Sequence, residues 1–393
     1  MQSLSQAQRM AAVQMPVMGF VADLMRENPG TISLGQGVVH YGPPQRALEA
    51  AHKAIELPQS HLYGYVIGQS GLREALAGKM LRENHLDPGF ETVVTAGSNM
   101  AFFESVLAIT DPGDEVILIS PYYFNHEMAV RIASCTPVVV SCGPHLVPEL
   151  DTLASAITPR TRAIVTISPN NPTGVVYSPA LLGAINTLCA ENGLYHISDE
   201  AYEYFTFEDT QHCAPGRASG AHAYTISLYS MSKAYGMAGW RLGYMAIPPH
   251  LLPAFRKIQD TNPICPSLIS QAAAMAALEV GPAYCQSFLN SLAKVRTMVL
   301  EALQGLGDCV RVSSSNGAFY VFVEVDTPLD AKTLTARLIR DCRVAVIPGD
   351  TFGASHATYI RIAYGALQPD TLAEAMDRLC TGLTAIQAAT PAH

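Results

Sequence analysis

The chain's 393 residues predict an α/β fold, with a mostly parallel central sheet sandwiched by helices and a smaller α+β domain after it. Three observations lead there. Short apolar runs, each the length of a buried strand, recur between residues 92 and 246. Helix-forming stretches such as 71–84 and 179–192, with turn signals between, separate those runs. After about Pro282 the texture changes to one long helical stretch followed by alternating strands and helices. A chain of this length is also too long for a single core, so two domains are expected.

In chain order, residues 1–44 are the expected N-terminal arm, of which 1–29 mix helix formers with Met and Pro and read as a short helix plus an arm. Residues 45–282 form the expected large domain, with strands at 92–95, 115–119, 136–140, 163–167, 194–197, 225–229 and 242–246. Residues 283–393 form the small domain, with helices at 284–306, 331–341 and 369–386 and strands at 318–325, 344–347 and 359–363. The arm is expected to pack on the small domain, which would make that domain discontinuous.

Charge and composition narrow the function classes. With 24 basic and 33 acidic residues the formal net charge is −9, which lacks the basic footprint of a nucleic-acid binder. Apolar stretches such as 272–278 are too short to span a bilayer, so no membrane is expected. The N-terminus shows no basic-then-apolar signal pattern, so a cytoplasmic protein is expected. Nine cysteines, an odd number with no Cys-x-x-Cys pair, argue against a disulfide framework or a metal site.

The most informative stretch is Ser230-Met231-Ser232-Lys233, with Arg241 following, directly after the run 225–229. Lysine is costly to bury, and a Schiff base to an aldehyde cofactor is one reason to place it there. Ser230 and Arg241 suit a phosphate, through a hydroxyl and a guanidinium. Alone, the stretch fits a solvated loop equally well. Gly97-Ser98-Asn99 links a strand to a helical run, so its amides would face an anion, although such turns are common without a ligand. Asn170-Asn171-Pro172-Thr173-Gly174 follows 163–167 at the strand end where open α/β sheets bind ligands, but it also reads as a plain turn. Asp199, closing a buried strand, needs a partner, and a protonated pyridine nitrogen would serve. Tyr202 is placed to donate to a phenolic oxygen of the same ring. Arg361 inside an apolar strand needs an anion, either a substrate carboxylate or an internal ion pair.

In this order these pieces resemble the class I/II aminotransferases, the fold-type-I pyridoxal-phosphate (PLP) enzymes, over nearly the whole length. Asn-Pro-Thr-Gly at 171–174, Asp-x-x-Tyr at 199–202, Ser-x-Ser-Lys at 230–233 with Arg241, and the late Arg361 carry the resemblance. Phrases at 316–320 and 348–353 add to it. The resemblance implies that Lys233 holds PLP as a Schiff base and shuttles the substrate proton, and that Asp199 pairs with the pyridine nitrogen. It implies Asn171 and Tyr202 on the ring oxygen, and Gly97, Ser98, Asn99, Ser230, Ser232 and Arg241 around the phosphate. Tyr63 resembles the tyrosine that reaches the neighbouring subunit's phosphate, which implies a homodimer with shared sites. Arg361, with Asn171 and the backbone at Gly37, would bind the substrate α-carboxylate. Tyr123, or failing it Tyr122, would stack on the ring, and His126 resembles the histidine that supports the pyridine-binding aspartate.

The implied activity is transamination between an L-amino acid and a 2-oxo acid. Two alternatives remain at this stage. The same scaffold can run elimination or cyclisation on a β- or γ-substituted amino acid such as a hydroxyarginine, for which His40, Tyr41 and Tyr65 are polar candidates. A PLP-binding regulator is the other, disfavoured by the acidic charge and by the lack of room for a DNA-binding domain before Gly35. Val38-Val39-His40 replaces an acidic Glu-Pro-Asp phrase found in many relatives, and no Lys or Arg stands in 261–271. Together with Tyr41, Tyr65 and Tyr123, these features favour an aromatic or long aliphatic substrate over strict aspartate specificity.

Overall fold

The computed structural model describes residues 4–388; the first three residues of the expected arm and the last five of the expected small domain lie outside the described residues. A seven-stranded sheet forms the centre, in the order Glu91–Thr95, Gly243–Ile247, Thr225–Ser230, Tyr195–Asp199, Thr161–Ile167, Glu115–Ser120, Thr136–Ser141. All seven coincide with the apolar runs, to within one or two residues at either end. Neighbours pair in parallel except around Gly243–Ile247, which runs antiparallel to both strands beside it. The exception follows from chain length. Only the short helix Met231–Ala234 and a 3-10 turn at Ala238–Trp240 connect it to Thr225–Ser230, too little for the crossover that parallel pairing requires.

Both faces of the sheet are buried, which is why its strands read as continuous apolar runs rather than alternating ones. On one face Val93, Val116, Leu118, Val165, Ile197 and Leu228 pack with Phe102 and Val106 of the helix Ser98–Ile109. On the other, Ile117, Ile119 and Ile164 meet Ile185 and Cys189 of the helix Pro179–Glu191.

The C-terminal part carries a four-stranded antiparallel sheet, Ile347–Pro348, Thr358–Ala363, Tyr320–Val325, Val310–Val312. The helices Ala283–Gln304, Ala331–Cys342 and Pro369–Ala388 belong to the same part. Two expectations are corrected here. The apolar run 344–347 is not one strand: Val344–Ala345 pairs in parallel with Ile32–Ser33, whereas Ile347–Pro348 joins the four-stranded sheet. The strand expected from residue 318 begins at Tyr320, because Ala318 sits in the left-handed region at φ 54°.

The early chain reaches across to this part. The helix Val17–Glu27 buries Val17, Val21 and Leu24 in one cluster with Ile339, Ile347 and Phe352. Leu34 donates its N–H to Ala345 O at 2.8 Å and accepts from Ala363 N at 2.7 Å. None of the helices among the described residues is long and apolar enough to cross a membrane.

Candidate active site

The carboxyl ends of the parallel strands all open on one edge of the sheet, where loops can carry chemistry without disturbing the ladder. A cleft of about 130 Å³ lies there, lined by Ser98, Asn99, Tyr123, Asn171, Asp199, Tyr202, Ser230, Ser232, Lys233 and Arg241, with Ile167 and Ala201 between them. Ten residues singled out from separate stretches of sequence thus meet in one place.

Lys233 follows the strand Thr225–Ser230 on the short helix Met231–Ala234, which Ser230 caps by accepting Ser232 N–H at 3.1 Å. Its amine donates to the Gly37 carbonyl. Burial pushes the amine down to about 8, with the positive charges of Arg361 and Arg241 adding to the effect and Asp199 opposing it. A lysine held this way is partly neutral near physiological pH, the form that can act as nucleophile or base.

Asp199 ends its strand facing the cleft. Its Oδ1 accepts Ala201 N–H at 3.1 Å, and Oδ2 lies 3.2 Å from His126 Nε2. His126 reaches it from the helix Phe124–Ile132, its ring stacked on Phe102 at 3.8 Å.

The two asparagines divide the work of their turn. Asn170 Oδ1 accepts from Thr173 N at 3.1 Å and from Thr173 Oγ1 at 2.9 Å, fixing the loop. Asn171 faces the cleft and accepts Arg361 Nη1 at 2.8 Å, which leaves its own amide hydrogens free to donate. Arg361, 3 % exposed, also donates Nη2 to Gly35 O at 2.7 Å, while its buried Nε has no partner. A guanidinium that is buried without a carboxylate beside it is a receptor for an anion.

Gly97 ends the first strand at φ 90° and caps the helix Ser98–Ile109. A Cβ there would stand 2.3 Å from Arg241 Nη2, so only glycine lets the guanidinium close over the helix N-terminus. Helix amides, the hydroxyls of Ser98, Ser230 and Ser232, and Arg241 make a donor-rich cradle that suits a phosphate group. At the other end of the cleft Asp199 offers a carboxylate to a protonated ring nitrogen. The residues present therefore fit PLP.

Of the remaining sequence-selected residues, Gly37 touches Lys233, whereas Tyr122 turns away from the cleft and packs its ring over Gly353. Tyr63 is 80 % exposed and does not line the cleft of its own chain. His40, Tyr41 and Tyr65 do not line it either. Tyr41 is buried with its hydroxyl on the Lys233 carbonyl at 3.1 Å, and Tyr65 is exposed. Tyr320 was overlooked as a site residue: its hydroxyl lies 2.6 Å from that of Tyr202, and its ring lies under Arg361 at 4.6 Å. The only signal for it in the sequence is the phrase 316–320, which carries no chemistry of its own.

Comparison with known proteins gives the family. Residues 29–379 match the family model for aminotransferase class I and II. The chain is 36 % identical over 386 residues to an aromatic aminotransferase of Arabidopsis thaliana, covering 96 % of each. It is 35 % identical over 362 residues to the aspartate/prephenate aminotransferase of Thermus thermophilus, covering 91 % of this chain and 92 % of that one. The solved structure of the Thermus thermophilus aspartate aminotransferase with maleate superposes with a TM-score of 0.89 at 34 % identity, covering 97 % of this chain and all of that one. The chain belongs to the class I and II aminotransferases, enzymes that depend on pyridoxal phosphate.

Proposed function

We propose that this aminotransferase holds PLP through Lys233 and moves amino groups between 2-oxo acids and amino acids with aromatic or long apolar side chains. The observation that carries the reading is the convergence of a deprotonable lysine and Asp199 on one cleft, with Arg361, which has no carboxylate partner, bonded to Asn171 of its lining. When bound, PLP supplies a ring that accepts the electron pair left at the substrate Cα. Lys233, freed when the substrate amine takes its place on the cofactor, would take the proton from that carbon, Asp199 would hold the ring nitrogen protonated, and His126 orients Asp199. Arg361 and Asn171 bind the substrate carboxylate and so fix the Cα–H bond toward Lys233. Gly97, Ser98, Asn99, Ser230, Ser232 and Arg241 anchor the phosphate, Tyr202 donates to the ring oxygen, and Tyr123 covers the ring.

The substrate class draws support from a cavity of about 360 Å³ next to the cleft, with Val38, Val39, Tyr41 and Trp240 among its lining residues. The relatives named above are, by their names, an aromatic aminotransferase and an aspartate/prephenate aminotransferase. Elimination or cyclisation is disfavoured, since the relatives are aminotransferases.

A homodimer is part of the proposal. Leu62, Tyr63 and Tyr65 are 70 %, 80 % and 52 % exposed, a run of large side chains that a second copy would cover while Tyr63 reached its phosphate cradle. The early arm, the central part 45–282 and the part 283–393 are read as the arm, large domain and small domain of each protomer. Nine cysteines without a disulfide suit a reducing, cytoplasmic setting. The test is reconstitution with PLP, borohydride reduction and peptide mapping, followed by single turnover with a panel of amino acids. Label at Lys233 and a 2-oxo acid from Phe, Tyr or Leu are expected. Label elsewhere, or turnover of aspartate alone, would overturn the corresponding half of the reading.

A further inference from the structure

Tyr320 stands where three parts of the site meet, yet the reading above gives it no task. Its hydroxyl is 2.6 Å from the Tyr202 hydroxyl. Its ring lies face-on to the Arg361 guanidinium at 4.6 Å. A Cβ on Gly37 would come within 2.3 Å of its oxygen, so the backbone that accepts the Lys233 amine is shaped around it.

The placement is over-determined. Ser315 Oγ donates to the Tyr320 carbonyl, Ala318 N–H to Phe205 O at 2.8 Å, and Gly317 N–H to Gly174 O at 2.8 Å. Buried Arg296 ties down the same loop through Ser315 O and Asn316 Oδ1. Ala318 takes φ 54°, a left-handed conformation that residues other than Gly, Asn and Asp avoid. Strain of this kind persists only where surrounding contacts enforce it, and it recurs at functional sites. The rigidity delivers the Tyr320 oxygen to Tyr202.

Both phenols are buried, and burial raises both, so each keeps its proton at neutral pH. One must therefore donate to the other. Tyr202 lines the cleft and Tyr320 does not, and each phenol has one proton, so the arrangement that leaves a proton for the cleft is the one in which Tyr320 donates and Tyr202 accepts. A hydroxyl that accepts from one side is left to donate on the other.

We infer that Tyr320 is a positioning residue: it donates to the Tyr202 oxygen and thereby aims the Tyr202 proton into the cleft, at the ring oxygen of PLP. The inference rests on the PLP reading given above. It assigns Tyr320 an effect on the charge of that ring oxygen, separate from its packing under Arg361.

The test is a spectroscopic pH titration of PLP-reconstituted Tyr320→Phe, which keeps the ring and removes only the oxygen. Losing one hydrogen bond to Tyr202 weakens donation to the ring oxygen, disfavours its anion, and should raise the midpoint of the visible absorption change by roughly 0.5–1 pH unit. KM for the amino acid should stay within about twofold, since the ring under Arg361 remains. Tyr202→Phe should shift the midpoint further, and adding Tyr320→Phe to it should add nothing, because the two act in series. Gly37→Ala, which pushes on the Tyr320 hydroxyl from outside, should shift the midpoint in the same direction. An unshifted midpoint in Tyr320→Phe, or shifts that add in the double variant, would overturn the inference. Wild-type protein that forms no visible band would instead overturn the PLP reading itself.

Discussion

His126 meets Asp199 from beneath the cleft, Nε2 to Oδ2 at 3.2 Å, with the imidazole held flat against Phe102. The other ring nitrogen, Nδ1, is buried without a partner. An imidazole held by that stack and bonded through Nε2 fixes the orientation of the carboxylate that faces the cleft. Replacing His126 by Phe keeps the stack and deletes the donor. About a tenfold weaker PLP affinity is expected, measured by titrating the cofactor-free protein and following fluorescence. Unchanged affinity would remove His126 from the site.

Arg361 binds through a fork, one arm on Asn171 and the other on Gly35. Lysine keeps the charge and loses the fork. For Arg361→Lys, kcat/KM should fall roughly 10- to 100-fold for amino acid and 2-oxo acid alike, while the absorption of bound PLP stays unchanged. A loss confined to one of the two substrates would show that Arg361 reads something other than their shared carboxylate.

Lys233 links function to stability in the cofactor-free protein. Its amine is lowered from 10.5 to about 8, chiefly by burial. Between those values the unfolded chain binds a proton that the folded chain does not, so stability rises with pH across that window. Wild type should gain about 2–3 kcal/mol relative to Lys233→Met from about pH 8 to about pH 10.5, read from urea unfolding at each pH. Parallel stability curves for the two proteins would show that the amine is not held in a low-dielectric site.

Glu104 gives the opposite slope. It lies fully buried in the helix Ser98–Ile109, accepting the Gln259 amide at 3.1 Å, and burial raises it from 4.5 to about 8. Between those values the folded state holds a proton that the unfolded state has released, so stability falls as pH rises. Glu104→Gln should therefore gain on wild type by roughly 3 kcal/mol from about pH 5 to about pH 7.5. A constant difference between the two across that range would count against the raised carboxyl.

The sheet was legible because a strand buried on both faces must be apolar along its whole length, and residues 115–119 or 225–229 could hardly be anything else. The chemistry was legible for a similar reason: Lys233, Asp199 and Arg361 are expensive residues in places where solvation is lost. What stayed hidden depends on partners distant in sequence. The run 344–347 is uniformly buried, so nothing in it marks the point where the chain leaves one sheet for another. The helix Gln45–Glu56 buries only Ala47, Ala51 and Ala54, too little apolar bulk to stand out, yet those small residues let it pack closely on Leu268–Val280. Tyr320 looks like any core aromatic until Tyr202, 118 positions away, is set beside it.

The pairing of Ile32–Ser33 with Val344–Ala345 sets an order of events during synthesis. At about 5–20 residues per second, a ribosome needs on the order of 15–60 s to make the chain between those two segments. Until its end Val17, Val21 and Leu24 lack Ile339, Ile347 and Phe352, so part of the cover for the apolar stripe near the chain's start comes only when nearly all of the chain has been made.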